Sequence, residues 1–115
     1  MKIFENKTAL VTGATSGLGS EIVKVLAIKG AQVIVHYNTN KEKAEKLVKE
    51  LNSSESFAIS EDFSEGDLDE VCGKFISNIV NKTKKIDFLI NNAADQSLDP
   101  DEIVDDVNIN KIMLT

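Results

Sequence analysis

The chain has 115 residues, with 19 acidic and 13 basic side chains and a formal net charge of −6. That length sets one domain with a modest core, and an acidic chain without a basic cluster argues against nucleic acid as a partner. No apolar stretch approaches membrane-spanning length, the N-terminus has no apolar leader, and the lone Cys72 cannot form an internal disulfide, so no membrane association and a cytoplasmic location are expected.

The first expected element is a buried strand from Lys7 to Thr12, centred on Ala9-Leu10-Val11. It runs into Thr12-Gly13-Ala14-Thr15-Ser16-Gly17-Leu18-Gly19, and a helical pattern follows from Gly17 to Lys29, closed by Gly30 at a C-cap position. Strand, glycine turn and helix in this order suit an anion. A tight turn needs a residue that tolerates positive φ, a phosphate approaches the backbone where no Cβ intervenes, and the helix N-terminus offers free N–H groups with partial positive charge. An ordinary β–α turn would also accommodate such glycines.

Gln32 to His36 reads as a second strand, rich in β-branched residues. Thr39 and Glu42 have capping-box spacing before a helix whose apolar stripe is Ala44, Leu47, Val48 and Leu51. Its charges fall in i,i+4 pairs and describe a solvated face. Phe57 to Ser60 reads as a third strand. Ser64 and Asp67 suggest another capping box, and a helix continues to about Lys82 with Leu68, Val71, Cys72, Phe75, Ile76 and Ile79 on one side. Cys72 at that spacing reads as a small buried apolar residue, not a nucleophile. Ile86 to Ile90 is the fourth strand. Asp99-Pro100-Asp101-Glu102 has the pattern of a helix start and precedes Ile103, Val104, Val107, Ile112 and Met113. Alternation of this kind predicts a parallel sheet with helices on both faces. The expected fold is α/β, a Rossmann-like doubly wound sheet in order 3-2-1-4.

Three segments at successive strand ends carry a resemblance. They are the Thr-Gly-x-x-x-Gly-x-Gly run from Thr12 to Gly19, Glu61-Asp62-Phe63, and Leu89-Ile90-Asn91-Asn92-Ala93-Ala94, which looks like an Asn-Asn-Ala-Gly signature with Ala94 in the glycine place. Together they resemble the short-chain dehydrogenase/reductase family, in the manner of its 3-oxoacyl-ACP reductase-like or glucose dehydrogenase-like members. The resemblance implies a dinucleotide cofactor bound by Gly13, Thr15, Ser16, Gly17, Leu18 and Gly19 around the pyrophosphate and nicotinamide. It implies Asp62 and the Phe63 backbone at the adenine, and Asn91, Ala93 and Ala94 along the adenosine ribose. His36 and Tyr37 belong to the same site at the end of strand two. His36 has two readings, packing near the adenine or meeting a 2′-phosphate.

An NAD enzyme usually ends its second strand with an acid that accepts from the ribose 2′-OH. His36-Tyr37-Asn38-Thr39-Asn40 has none before Glu42, and no arginine is present to clamp a 2′-phosphate. The absent carboxylate favours NADP(H) over NAD(H), and an Asp at position 36 is expected to reverse the preference. The implied reaction is hydride transfer between nicotinamide and a small carbonyl or alcohol substrate. The family's Tyr-x-x-x-Lys pair lies on a helix, where the cation favours phenolate. Asp106-Val107-Asn108-Ile109 resembles the family's asparagine segment and nominates Asn108 as catalytic, with Asn110 the second candidate.

Tyr37-Asn38-Thr39-Asn40-Lys41 matches Tyr-x-x-x-Lys and holds the only tyrosine, but it straddles a strand end and a helix cap and comes too early in the family order. The expectation is therefore one NAD(P)-binding Rossmann domain over 1–115, incomplete at its C-terminus after about four strands. It would be inactive alone and part of a homo-oligomer when complete. A non-catalytic nucleotide-binding or interaction module is the alternative. A flavodoxin-like receiver or flavin domain fits the alternation but not the glycine spacing. No metal site is expected.

Overall fold

The computed structural model describes residues 2–51, 55–64 and 66–92. Strands and helices alternate as β1 (Thr8–Val11), α1 (Gly17–Ile28), β2 (Gln32–Tyr37), α2 (Lys41–Glu50), β3 (Phe57–Ser60), α3 (Leu68–Thr83) and β4 (Phe88–Ile90). The four strands form one sheet in order β3-β2-β1-β4. Every pairing is parallel, with Val11 opposite Val35 on one side and Ile90 on the other.

The two sides of the sheet follow from strand alternation. Val11, Val33, Val35 and Tyr37 point to one side, where they pack with Val23 of α1 and Ala44 and Leu47 of α2. Leu10 and Ile34 point to the other side and pack with Phe63 and with Phe75 and Ile79 of α3. β1 is buried at all four positions. A strand covered on both faces reads as a continuous apolar run, and this one does.

The helix starts differ from expectation in two places. The cap of α2 is Asn40, whose side chain accepts from the Lys43 amide at 3.1 Å. Thr39 has the right spacing to Glu42, but asparagine caps as well and stands next to the first helical residue. The cap of α3 is Asp67, which accepts from the amides of Asp69 at 3.0 Å and Glu70 at 3.4 Å. Ser64 instead donates through its amide to Asp62 Oδ1 at 2.9 Å.

β4 is shorter than the expected Ile86–Ile90, and its side chains are better covered than an edge strand suggests. Ile86 packs against the α3 cluster and Ile90 against the α1–α2 cluster. Phe88 meets Phe4 edge to face at 5.2 Å. Leu89 is the exposed member, at 62 %. Among the described residues no helix is long and apolar enough to cross a membrane. The helix expected from Pro100 lies outside the described residues.

Candidate functional site

The site is built where β1 and β4 end side by side. β1 leaves the sheet at Val11 and turns at Gly13, whose φ is 59°. An L side chain is strained in that left-handed region, so the turn selects glycine. Ser16 then caps α1, accepting from the Gly19 amide at 3.0 Å. The cap leaves the amides of Gly17 and Leu18 among the helix's first donors, available to water or to an anion.

Three features make this helix end a fitting phosphate seat. The first turn of α1 has no acidic residue, whereas α2 begins with Glu42 and α3 with Asp69 and Glu70. Among the described residues a Cβ added at Gly17 would meet nothing within 4 Å, so that position is open beside the helix's first amides. Gly19 is the reverse: a Cβ there would stand 2.6 Å from the Gly13 carbonyl oxygen and 2.7 Å from Asn92 Nδ2. It is glycine because the helix is pressed against the turn.

The loop after β4 holds the turn from the other side. Asn92 donates from Nδ2 to the Gly13 carbonyl at 2.9 Å and to Ser16 Oγ at 3.0 Å. Its amide donates to Thr12 Oγ1 at 3.0 Å. Thr12 Oγ1 in turn donates to Asn91 Oδ1 at 3.2 Å. The resemblance points to Asn91, whereas Asn92 is the residue whose side chain reaches Gly13 and Ser16. Nothing in the sequence separates two adjacent asparagines, and only the register Val11 opposite Ile90 decides which one reaches the glycines.

The residues expected at an adenine lie beyond β2 and β3. Asp62 is half-buried after β3, with Oδ1 accepting from both the amide and the hydroxyl of Ser64. The Phe63 side chain is buried against His36 and Phe75, which leaves its backbone as the part that can face a ligand. His36 is 2 % exposed. The Gly13 amide donates to its Nδ1 at 3.0 Å, and its Nε2 lies 2.9 Å from the Glu61 carbonyl oxygen. Burial pushes the His36 pKa below its ordinary value, against the opposing pull of Glu61. An acid at position 36 would therefore be buried among Phe63 and Phe75, not presented to a ribose. The exposed Asn38, just past the strand, is the better place for one.

Tyr37 packs in the α1–α2 core from the end of β2, and Lys41 is the first residue of α2. They share no helical face. Thr15 is half-buried within the turn, and Ser16, Gly17 and Leu18 are exposed on the helix end. Ala93, Ala94 and Asn108 lie outside the described residues. Among the described residues no cluster could hold a metal ion. A groove lined by Lys7, Thr8, Gln32, Glu55, Thr83 and Lys85 opens at the N-terminal ends of the strands, the wrong end of a doubly wound sheet for its ligand.

The sequence pattern described as short chain dehydrogenase matches residues 7–115. The chain is 43 % identical over 91 residues to a 3-oxoacyl-[acyl-carrier-protein] reductase of Staphylococcus epidermidis, covering 77 % of this chain and 36 % of that protein. It is 40 % identical over 90 residues to versicolorin reductase of Emericella nidulans, covering 78 % of this chain and 34 % of the relative. The chain thus spans about a third of the length of these relatives. A solved short-chain dehydrogenase/reductase double mutant from Serratia marcescens superposes with a TM-score of 0.70 at 26 % identity, covering 87 % of this chain and 43 % of that one.

Proposed function

The chain belongs to the short-chain dehydrogenase family, and from that premise we propose that it supplies the dinucleotide-binding half of an NAD(P)(H)-dependent oxidoreductase. The observation that carries this reading is the acid-free N-terminus of α1, open at Gly17 and braced by Gly13 and Asn92. Backbone amides there meet a pyrophosphate without a desolvated side-chain charge. A bound nicotinamide cofactor would supply the hydride chemistry. Gly13, Thr15, Ser16, Gly17, Leu18 and Gly19 line its phosphate side, Asp62 and the Phe63 backbone its adenine, and Asn91 with Ala93 and Ala94 its ribose.

NADP(H) is the preferred cofactor in this proposal, because nothing between His36 and Asn40 would repel a 2′-phosphate. Asn38→Asp should shift the preference toward NAD(H), measured as the ratio of the two dissociation constants. The substrate class is a small carbonyl or alcohol. Likeness to a 3-oxoacyl-[acyl-carrier-protein] reductase makes 3-oxoacyl thioesters the first compounds to try.

Turnover is assigned to the complete protein, with Asn108 as a contributing residue, and not to these 115 residues alone. The only phenol is Tyr37, buried in the α1–α2 core and sharing no helical face with Lys41. The purified chain should leave NADPH unoxidised in the presence of a carbonyl substrate, and robust turnover abolished by Tyr37→Phe would overturn that assignment.

The binding reading is tested at Gly17. Gly17→Ala adds a methyl group into open space, so folding stability should hold or rise by up to about 1 kcal/mol. The same methyl group would stand where the phosphates approach, and NADP+ affinity should fall about tenfold or more. Calorimetry showing unchanged NADP+ affinity in this variant would remove the phosphate reading.

A further inference from the structure

Resting on the reading of the glycine turn as a phosphate seat, we propose that His36 is a positioning residue: its neutral imidazole locks the Gly13 turn in its phosphate-receiving shape, and protonation of the ring unlocks it. The hydrogen bonds fix the tautomer. A backbone amide can only donate, so Nδ1, 3.0 Å from the Gly13 nitrogen, is the acceptor. Nε2 then holds the ring proton and donates it to the Glu61 carbonyl at 2.9 Å. One ring ties the loop after β1 to the end of β3 across β2. The backbone of the same residue adds a third tie, accepting from the Ala14 amide at 2.9 Å.

An imidazolium cannot keep this arrangement. With both nitrogens protonated, Nδ1–H would face the Gly13 N–H, donor against donor. The turn would have to move, and the amides of Gly17 and Leu18 are positioned by that turn through the Ser16 to Gly13 bond at 3.3 Å. The groups around the ring are mostly uncharged. Phe63 lies at 4.9 Å and Phe75 at 5.5 Å between ring centroids. Cys72 of α3 packs against the same aromatic cluster. The first turn of α1 has no acid, and Tyr37 points to the opposite side of the sheet. Among the described residues the charged group that acts on the ring is Glu61, which favours the imidazolium; the neighbouring Asp62 carboxylate accepts from Ser64, and α3, packed on the same face, carries Asp69, Glu70, Lys74 and Lys82. Burial outweighs Glu61, so the ring is neutral near pH 7 and charges only in acid.

Two substitutions separate the two ring nitrogens. The amide oxygen of His36→Asn can stand where Nδ1 stands and accept from Gly13. The longer His36→Gln can reach Glu61 but takes the acceptor away from Gly13. Both remove the ring from the aromatic cluster, so a purely structural role would affect them alike. The probe is ADP-ribose, because its pyrophosphate does not titrate between about pH 5 and pH 8, whereas a phosphate monoester has a pKa of about 6. ADP-ribose affinity is measured by calorimetry across that range, and the Gly13 amide is followed by NMR in the ligand-free chain.

In the unmodified chain the Gly13 amide should titrate with a midpoint below that of an ordinary histidine, and ADP-ribose should weaken about tenfold over the same step. His36→Asn should bind like the parent at neutral pH with a flat profile. His36→Gln should bind about tenfold more weakly at every pH. A Gly13 amide indifferent to pH, or equal affinity in the two variants, overturns the proposal. A titrating Gly13 amide in a chain that binds neither ADP-ribose nor NADP+ upholds the lock and overturns the dinucleotide reading instead.

Discussion

Single atoms decide the geometry at the glycine turn. Gly17 and Gly19 are two residues apart, yet a methyl group would meet open space at one and the Gly13 carbonyl at 2.6 Å at the other. At Gly19 the side-chain ends of Asn92 and Ser16 could shift, but the Gly13 carbonyl is backbone and cannot yield in the same way. Gly19→Ala should therefore destabilise the fold by about 1–3 kcal/mol, the usual cost of overpacking, and weaken cofactor binding with it. Urea denaturation of the Gly17→Ala and Gly19→Ala variants side by side would show the contrast, and equal stabilities would contradict the packing argument. The His36 ring makes a second prediction about stability. Its folded pKa lies below the unfolded one. The unfolded chain then binds the proton more readily, so the stability this residue contributes is complete above about pH 6.5 and declines as pH falls through the folded pKa. His36→Asn should flatten that part of the stability profile.

Elements begin and end through a few polar contacts. Asp67 closes the N-terminus of α3 with two amide bonds, and its loss in Asp67→Ala should cost about 1 kcal/mol. At the other end of the same helix Lys84 takes a φ of 70°. That left-handed cap suits glycine, so Lys84→Gly should stabilise by about 0.5–1 kcal/mol. Thermal melts of the two variants, moving in opposite directions, check both statements. The start of β4 is fixed by Asp87, which accepts from the Thr8 amide at 2.8 Å and pairs with Lys85 at 2.9 Å. Lys85 foremost, then the Thr8 amide, holds its pKa below the ordinary carboxylate value, so this contribution is present at neutral pH and is lost only in strong acid.

At the scale of the molecule, the N-terminal segment closes a part of the sheet that strand periodicity leaves open. The Phe4 ring packs on Phe88 and its amide donates to the Lys29 carbonyl at 2.8 Å. Phe4→Ala should cost about 2 kcal/mol and expose β4 to proteolysis before the other strands. A protease-digestion pattern unchanged from the parent would show that the segment is dispensable.

The sequence by itself determined the order of the elements, the parallel sheet and the position of the glycine turn. Each rests on local chemistry: β-branched runs, the 3.6-residue stripe of α2 and α3, and glycines where a strand must turn into a helix. Phe57–Ser60 could be read to the residue because turn signals bound it on both sides. Tertiary structure alone decided what crosses between elements. Which of two adjacent asparagines reaches Ser16, which way His36 points, and that Phe4 covers Phe88 all depend on register and on which face of the sheet a residue occupies. A strand alternates sides at every residue, so a one-place difference moves a side chain from one face to the other. That sends Tyr37 into the α1–α2 core and its neighbour His36 under the glycine turn.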